Sequence, residues 1–412
     1  MFTILRKIFL FCTLSALLSV GSGANEVTTS LVASTPPPTS LLLVASAATP
    51  ASSAVPSPAT HNFTLTSELL QKTEAEISSS FRAYSFDERQ DKSQLVQLYL
   101  EPKLQLHLSD EFKFRARGSL SLSTARVQAR FDDPSFNTMN LNELVISYEP
   151  SSWFNAELGA LDQGQLNSIM LVDEDRAFPG VMIKSGWKGD TTEVEFRTQY
   201  SIPNSVSLEM DRTDEESLPT FATQGVDVSW RPLDWAKLSA TVHHFTYRNL
   251  PSVVAFQSGR LGNEVIGNTT SESYFAYAFD GFAQNLQLDL DVHDKIKNRV
   301  QVQVIENLEA PSDRSRSQWM GLAFDLFFKD MIISPELAYF YAESDSVPAL
   351  YSAVKLGRNN REGMFYGLKV HFQKLGLSVK ASYVNANLIE PDPIQNNLNA
   401  FEFLLELPSV KF

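Results

Sequence analysis

Apolar and polar residues alternate along most of the chain. Between Val96 and Leu108, six of the seven even-numbered positions are Val or Leu, whereas the odd-numbered positions carry Gln, Tyr, Glu, Lys and His. The same alternation recurs in residues 112–123, 286–292 and 377–383, among others. A pleated strand directs successive side chains to opposite faces, so the pattern predicts β-strands with one apolar and one polar face.

Sixteen segments with this pattern are predicted to be strands. They span residues 76–86, 94–108, 112–126, 140–149, 153–161, 180–188, 191–201, 223–231, 235–246, 276–293, 297–306, 318–328, 331–343, 363–373, 376–386 and 399–412. Seven short turns alternate with eight longer loops, expected at 87–93, 127–139, 162–179, 202–222, 247–275, 307–317, 344–362 and 387–398. This order predicts an all-β, antiparallel, up-and-down transmembrane β-barrel of about 16 strands, with both chain ends on the short-turn side.

A soluble β-sandwich also alternates apolar and polar residues, and the tryptophans discriminate between the two folds. Trp153, Trp187, Trp230 and Trp235 lie within a few residues of three different short turns. In a barrel they would form one ring at the membrane interface, where amphipathic rings are favoured. A sandwich would more often bury tryptophan in mid-strand, so their placement favours the barrel.

The amino-terminal segment has the three parts of a secretory signal. A basic start at Arg6 and Lys7 precedes an apolar stretch from Ile8 to Val20, and small residues follow up to Ala24. Residues 1–24 are therefore predicted to be a cleavable signal peptide. The one cysteine of the chain lies in this stretch. A mature chain without cysteine excludes thiolate metal sites and iron–sulfur clusters.

Two further regions follow the signal peptide. Residues 25–73 are rich in Ser, Thr, Ala and Pro, which predicts an extended periplasmic tether. The tether is either a plain spacer or a contact with the cell wall. Residues 74–412 have a uniform alternating texture and are predicted to form one outer-membrane β-barrel.

Composition and charge exclude other classes. Hydrophobic residues make up 43% and charged residues 20% of the chain, which argues against disorder. Lys plus Arg number 34 against 48 for Asp plus Glu. The net charge of −14 argues against nucleic-acid binding, because that function relies on positive charge. No nucleophile elbow, zinc-protease motif or nucleotide-binding glycine loop is present, so no enzyme activity and no cofactor are expected.

From about residue 74 onward the chain resembles a Gram-negative outer-membrane porin of the general-diffusion type. The resemblance rests on the signal peptide, the sixteen alternating segments, the alternation of turn lengths and the terminal Phe412. One departure lies near the end of the chain. Phe401, Phe403, Leu405 and Leu407 alternate in the opposite phase to Phe412, and a β-bulge at Pro408 would reconcile the two phases.

The polar faces carry bases and acids in about equal numbers, which suits a water-filled lumen better than a packed core. The bases crowd the second and third strands and define a basic sector, which consists of Lys103, Lys113, Arg115 and Arg117. The resemblance implies that the loop at 162–179 folds into the barrel opposite a basic wall. Its candidate constriction acids are Asp162, Asp173, Glu174 and Asp175. In the alternative, the loop stays outside and the bases balance other lumenal carboxylates.

Histidines and acidic loops suggest no metal or catalytic centre. His243 and His244 are adjacent on a predicted strand and point to opposite faces, so the two cannot hold one ion together. His107 near Ser109 is compatible with an outer-membrane esterase, although a lumenal histidine on a strand is the simpler interpretation. Acidic loops could bind calcium, but solvated surface charge is the ordinary role of such residues.

The sequence therefore predicts a passive diffusion channel for small hydrophilic solutes and ions, with weak cation preference. Its expected partners are outer-membrane lipid and lipopolysaccharide, and the resemblance allows a homotrimer. The expected location is the outer membrane of a Gram-negative envelope, with both termini periplasmic. The alternative from another class is a non-conducting barrel that serves as an adhesin or structural anchor. Tyr99 and Phe340 are the clearest inward aromatic residues, too few to predict a sugar-specific channel.

Overall fold

Antiparallel strands dominate the structure, a computed structural model that describes residues 73–88, 91–125, 137–203 and 217–412. The predicted signal peptide and residues 25–72 of the predicted tether lie outside the described residues. Within the described part of the chain, no helix is long and apolar enough to cross a bilayer.

The described residues contain sixteen long strands that together form one sheet. Their bounds are β1 Thr73–Glu88, β2 Asp91–His107, β3 Phe112–Ala125, β4 Asn137–Ser151, β5 Phe154–Asp162, β6 Ala177–Lys188, β7 Thr192–Ser201, β8 Thr220–Leu233, β9 Ala236–Arg248, β10 Phe279–His293, β11 Ile296–Asn307, β12 Arg316–Phe328, β13 Met331–Ala342, β14 Arg361–Phe372, β15 Leu377–Leu388 and β16 Leu398–Glu406. Two short helices, α1 Gln163–Leu166 and α2 Ser252–Gly259, lie in the long loops.

Each strand pairs antiparallel with its neighbours in sequence, and β1 also pairs with β16. This last pairing closes the sheet into a barrel, so the predicted fold class is confirmed. Thr73 at the start of β1 pairs with Leu106 near the end of β2, which places the start of the first strand at the rim of the short turns. Glu406 at the end of β16 pairs with Ser378 at the start of β15, so the last strand ends at the same rim.

The alternation sorts side chains between the two faces of the wall as predicted. Leu98, Leu120, Ile146 and Leu337 are typical of the apolar set, and all are exposed on the outer surface. The four tryptophans near the short turns are exposed as well, namely Trp153, Trp187, Trp230 and Trp235. Tyr99 and Phe340, the predicted inward aromatic residues, are buried. The barrel thus presents apolar side chains outward around its circumference, as a membrane-embedded wall requires.

One predicted loop is much shorter than expected. A long loop was expected at 87–93, but Glu88 of β1 pairs with Asp91 of β2, so only two residues separate the strands. The polar sequence there has little apolar alternation, which hid the strand ends from the pattern. Ladder hydrogen bonds between the backbones do not require apolar side chains, so the hairpin extends beyond the alternating segment.

The predicted irregularity at Pro408 is confirmed as a bulge. Ser80 pairs with Glu406 and Ile77 pairs with Val410, so β1 advances three residues where the facing chain advances four. The extra residue shifts the phase of the side chains. Proline has no backbone N–H to donate, which suits a position where the ladder is interrupted.

An apolar cluster fills part of the barrel interior near the long loops. It joins inward side chains of β1, β6 and β8–β16 to α2 and to the loops after β5 and β13, and we call it the apolar plug. Its largest members are Phe178, Phe221, Phe245, Tyr247, Phe279, Ile305, Phe340, Tyr351 and Leu356. Among the described residues, β2–β5 contribute nothing to this cluster. The interior is therefore apolar on one side, while along β2–β5 it is polar apart from a small second apolar cluster of Val145, Leu161, Leu166 and Met182.

Candidate constriction of the barrel lumen

The basic sector on β2 and β3 is paired with acids of the same wall. The guanidinium of Arg115 donates from Nε to Glu143 Oε1 at 2.8 Å and from Nη2 to Glu157 Oε1 at 2.9 Å. These acids lie on β4 and β5, beside β3 in the barrel, and each is less than one-tenth exposed. One guanidinium therefore faces two carboxylates, and this part of the wall carries excess negative charge.

The other three bases of the sector are paired in the same way. Lys113 donates to Glu149, and Lys103 Nζ lies 3.4 Å from Glu101 Oε1. Arg117 forms ion pairs with Glu101 and with Asp162. These side chains are partly exposed. Water in the lumen can therefore hydrate their charges, which an apolar interior could not do. The sector is a network of ion pairs and not an unpaired basic wall.

The loop after β5 lies inside the ring of strands. Asp162 ends β5, caps α1 by accepting from the Gly164 N–H at 3.1 Å, and pairs with Arg117. The side chain of buried Gln163 accepts from Gln199 Nε2 on β7 at 3.0 Å. Ser168 donates to Gln303 on β11. Since β5 and β11 are far apart around the barrel, this loop must cross the interior to make that contact.

The acids at the tip of this loop lie beside a different set of bases from the predicted one. Asp173 is buried and accepts from the Val354 N–H at 3.1 Å, and Glu174 Oε1 lies 3.4 Å from Lys355 Nζ. Both partners belong to the loop after β13. Among the described contacts, Asp162 is the one loop acid that pairs with the basic sector. The two long loops therefore bind each other inside the barrel.

The carboxyl groups of the tip have shifted pKa values. Burial raises the pKa of Asp173, against the opposing charge of Arg358 and the Val354 N–H. Enclosure by the loops and the wall raises the pKa of Asp175 as well, and the negative charge of Asp173 raises it further, against the opposing charge of Arg82. For Glu174, burial would raise the pKa, but Lys355 and Lys380 outweigh it and the pKa is lowered.

Arg82 on β1 is a lumenal base that the sequence analysis did not single out. Its Nη1 donates to Tyr84 Oη at 3.3 Å, and the guanidinium carbon lies 4.7 Å from the centroid of the Tyr99 ring. Its charge acts on both Glu174 and Asp175. The one available signal was that Arg82 alternates in phase with Tyr84 and Phe86. Aromatic side chains occur on both faces of the wall, so this alternation does not show whether Arg82 points inward or outward.

The predicted histidines lie on the faces of the wall that the alternation of the strands assigns to them. His243 faces inward, where its Nδ1 accepts from Arg197 Nη2 at 2.6 Å, while His244 lies on the outer face beside Asp280. The two rings point to opposite faces, as the alternation predicts. His107 Nε2 is 2.9 Å from Gln105 Nε2. Among the described residues, no three His, Cys, Asp or Glu side chains converge as a metal site does.

Comparison with known proteins supports the fold. No protein-family model matches the sequence, and no curated protein matches it. Among solved structures, 83% of this chain aligns with 96% of Pseudomonas putida OprB in its high-pH structure, with a TM-score of 0.55 and 12% sequence identity. Two further matches are weaker. Acinetobacter baumannii OccAB2 has a TM-score of 0.47 at 9% identity over 84% of this chain and 99% of that chain. Salmonella typhi OmpF, in complex with daunomycin, has a TM-score of 0.46 at 9% identity over 83% and 99%.

The fold and the comparison define the same class. OprB is a Gram-negative outer-membrane porin, and its alignment with this chain spans nearly its whole length. Both the closed sixteen-strand barrel and the crossing loop after β5 are observed in this chain directly. The chain therefore has the fold of a Gram-negative outer-membrane porin.

Proposed function

We propose that the protein is a passive diffusion channel that lets small hydrophilic solutes and ions cross the outer membrane. One observation carries this proposal: charged, partly exposed ion pairs line β2–β5 next to a loop that crosses the lumen. A row of such pairs is stable beside water and costly in a dry core. In this proposal, the polar side of the lumen supplies the hydrated path along the barrel axis.

The path is narrow, because the apolar plug occupies the opposite side. Stacked and edge-on aromatic contacts hold the plug together, including Tyr247 against Tyr351 at 5.8 Å and Phe178 against Tyr351 at 5.5 Å between ring centroids. Loop acids and the bases Arg82 and Lys355 meet at the plug's edge. Solutes passing there meet charges of both signs, which is the basis of a weak preference and not a strong one.

Cation preference follows from the balance of these charges. Arg115 is outnumbered by Glu143 and Glu157, and the chain as a whole carries net charge −14. A negative lumen concentrates cations near the path, and salt screens the effect. We infer a weakly cation-preferring channel. Asp162, Asp173, Glu174 and Asp175 serve in this proposal as constriction acids, with Lys103, Lys113, Arg115 and Arg117 lining the path.

Planar-bilayer recording tests the channel proposal. Purified mature protein should insert and give discrete current steps of uniform size, and a salt gradient should give a small reversal potential of cationic sign. The steps should be smaller than an unobstructed sixteen-strand barrel would allow. A strongly anion-selective channel would contradict the placement of excess acid in the path.

The apolar plug also favours a second candidate, a closed barrel that acts as an adhesin or structural anchor. If loops and plug fill the lumen completely, the barrel inserts into the membrane and conducts nothing. Insertion is detectable separately, by flotation with liposomes and by heat-dependent mobility in electrophoresis. Insertion without current would support the anchor and exclude the channel.

The proposal includes a location and partners. The apolar outer face and the tryptophans near the short turns fit lipid on all sides, with the short-turn rim and both termini in the periplasm. Residues 25–72 would then extend into the periplasm, either as a spacer or in contact with the cell wall, because Thr73 already belongs to β1. Lipopolysaccharide would surround the long-loop rim. Trimeric assembly is a further element of the proposal, testable by cross-linking in outer-membrane vesicles.

A further inference from the structure

A cavity of about 420 Å³ lies next to the apolar plug, on its short-turn side, and we call it the lower cavity. Residues 164–169 and Leu171 of the loop after β5 line it, and inward side chains from β7 to β15 form its walls. Lys355 of the loop after β13 also lines it, and its charge is paired with Glu174. Its position follows from the strands. On β9, Thr241 and His243 line the cavity, whereas Phe245 and Tyr247, nearer the long loops, belong to the plug.

One wall of the lower cavity holds a buried guanidinium with unused hydrogen-bonding capacity. Arg197 is 9% exposed, and its Nη2 donates to His243 Nδ1 at 2.6 Å. Its Nε has no hydrogen-bond partner and lies 3.9 Å from Asp227 Oδ2, beyond hydrogen-bonding distance. Asn167, on the loop, has a buried Oδ1 that is likewise without a partner. Both atoms are enclosed by protein and do not face the cavity space, so a solute in the cavity would not recover the free energy that their missing hydrogen bonds cost.

The opposite wall carries one charge of each sign. Glu336 on β13 and Lys380 on β15 both line the cavity. Among the described residues, neither has an ion-pair or hydrogen-bond partner, although the charge of Lys380 acts on Glu174 and Glu406. The intervening strand β14 contributes Gly367 at this level, paired with Glu336 on one side and Ser382 on the other. Lys380 lies two residues along β15 from Ser382, so two strand spacings across the sheet and two residues along it, about 12 Å in all, separate the backbones that carry the two charges.

Amide side chains connect the two walls. Gln301 donates to Asn285 Oδ1 at 3.0 Å, and Gln303 contacts Ser168. The amide nitrogen of Asn285 and the amide oxygen of Gln301 are not used in that bond. The nitrogen of Asn285 can donate to a peptide carbonyl, and the oxygen of Gln301 can accept from a peptide N–H.

These features discriminate between classes of solute. A neutral solute in the cavity would displace water from both Glu336 and Lys380 and would offer neither charge a partner of opposite sign. A solute with one charge would compensate one of the two and leave the other desolvated. A solute with an ammonium and a carboxylate compensates both. We propose that the lower cavity binds a small zwitterion of zero net charge, a free amino acid or dipeptide, with its ammonium at Glu336 and its carboxylate at Lys380.

This proposal rests on the proposed channel function and adds a solute class to it. Binding would occur in the lumen, so an occupied cavity narrows the hydrated path and interrupts the ion current. Glycylglycine is a suitable probe because its termini are one peptide unit apart and its peptide group can meet the amides of Asn285 and Gln301. Three matched probes remove one or both charges: glycinamide is a cation, N-acetylglycine an anion, and N-acetylglycinamide neutral.

The experiment records single channels of the mature protein in a planar bilayer while each probe is added. Glycylglycine should cause current interruptions with an apparent affinity about tenfold higher than any of the three matched probes, about 1.4 kcal/mol in binding free energy. Glu336→Gln should reduce the affinity for glycylglycine at least fivefold, and Lys380→Met should do the same. Glu336→Gln should also reverse the preference toward N-acetylglycine, because Lys380 then remains alone.

Lys188→Met is the matched control, since it removes a base next to a short turn, outside both the basic sector and the lower cavity. It should leave the affinity for glycylglycine unchanged. Each variant must first give the unaltered heat-dependent mobility and discrete current steps, so that a misfolded barrel is recognised. Absence of current steps would overturn the channel function itself. Normal steps with equal interruption by all four probes, or loss of affinity in the Lys188 variant alone, would overturn the zwitterion site and leave the channel intact.

Discussion

At the residue scale, the ion pairs of the basic sector determine the sign of the lumenal charge. Arg115 is the most informative position, because it compensates both Glu143 and Glu157 from one guanidinium. Arg115→Gln should therefore raise cation selectivity. Removing one unit charge at about 4 Å in water changes the free energies of a cation and an anion by about 1 kcal/mol each, in opposite directions, so the cation-to-anion permeability ratio should rise by up to about 30-fold. Reversal potentials in a tenfold salt gradient measure this ratio, and Lys188→Gln, a base next to a short turn outside the sector, is the control. An unchanged or reduced ratio would contradict the placement of Arg115 beside the path.

The acids at the loop tip make the same selectivity depend on pH. The pKa values of Asp173 and Asp175 are raised, so both carboxyls take up protons at a higher pH than ordinary aspartates do. Their negative charge is complete well above the raised pKa and is lost as pH falls through it. Cation preference should thus decline on acidification before ordinary carboxyls titrate, and Asp175→Asn should remove part of that decline. The measurement is the reversal potential between pH 7 and pH 4. Equal pH profiles for the wild type and the variant would show that Asp175 is not beside the ion path.

At the scale of the elements, Gly159 is required for the pairing of β4 with β5. Its φ is +139°, and a Cβ there would lie 1.9 Å from the backbone oxygen of Leu144. Gly159→Ala should destabilise the barrel by about 1–3 kcal/mol or more, since both the backbone conformation and the close approach disfavour a side chain. Gly118→Ala is the control, because a Cβ there lies 3.3 Å from the Asn140 oxygen and its φ is not positive. Heat-dependent mobility in electrophoresis should show a lower unfolding temperature for the Gly159 variant. Equal temperatures for the two variants would contradict the steric argument.

The loop after β13 is the element that stabilises the plug. Tyr351 and Leu356 from this loop are fully buried against the wall, and Asp173 binds its backbone. Replacing residues 346–356 by a short Gly-Ser linker should open the long-loop side and increase the single-channel conductance at least twofold. Shortening the tip at 268–272, in another loop, is the control and should leave the conductance unchanged, because the described residues there do not join the apolar cluster. An unchanged step size after removal of 346–356 would mean that the plug lies outside the conducting path.

At the scale of the whole molecule, net charge and screening determine how selectivity varies with salt. The chain carries −14, and the ion pairs along β2–β5 leave acids in excess near the lumen. The screening length is about 10 Å at 0.1 M salt and about 3 Å at 1 M. Cation preference should therefore be measurable near 0.1 M and nearly vanish at 1 M, at constant salt ratio across the membrane. A preference that is equally strong at 1 M would require a site in direct contact with the ion, and the long-range field could not be its cause.

The alternation of residues determined the wall of this protein. A period of two is a local property, and one apolar face repeated sixteen times is compatible with little besides a closed membrane barrel. The same reasoning located the seven short turns, the outward tryptophans and the bulge at Pro408. It missed the tight connection between β1 and β2, because polar residues can continue a ladder without showing alternation.

The interior was decided by the tertiary structure. The sequence named Asp173 and Glu174 as loop acids and Arg115 and Arg117 as lumenal bases, but which charge meets which depends on the path of the loops after β5 and β13. Those paths bring together residues about 180 positions apart, such as Asp173 and Val354. The closed sheet encloses the interior, and apolar packing of the two loops against inward aromatic residues determines the path of those loops. Neither step leaves a periodic signal in the sequence, so the plug, the role of Arg82 and the lower cavity follow from the folded barrel alone.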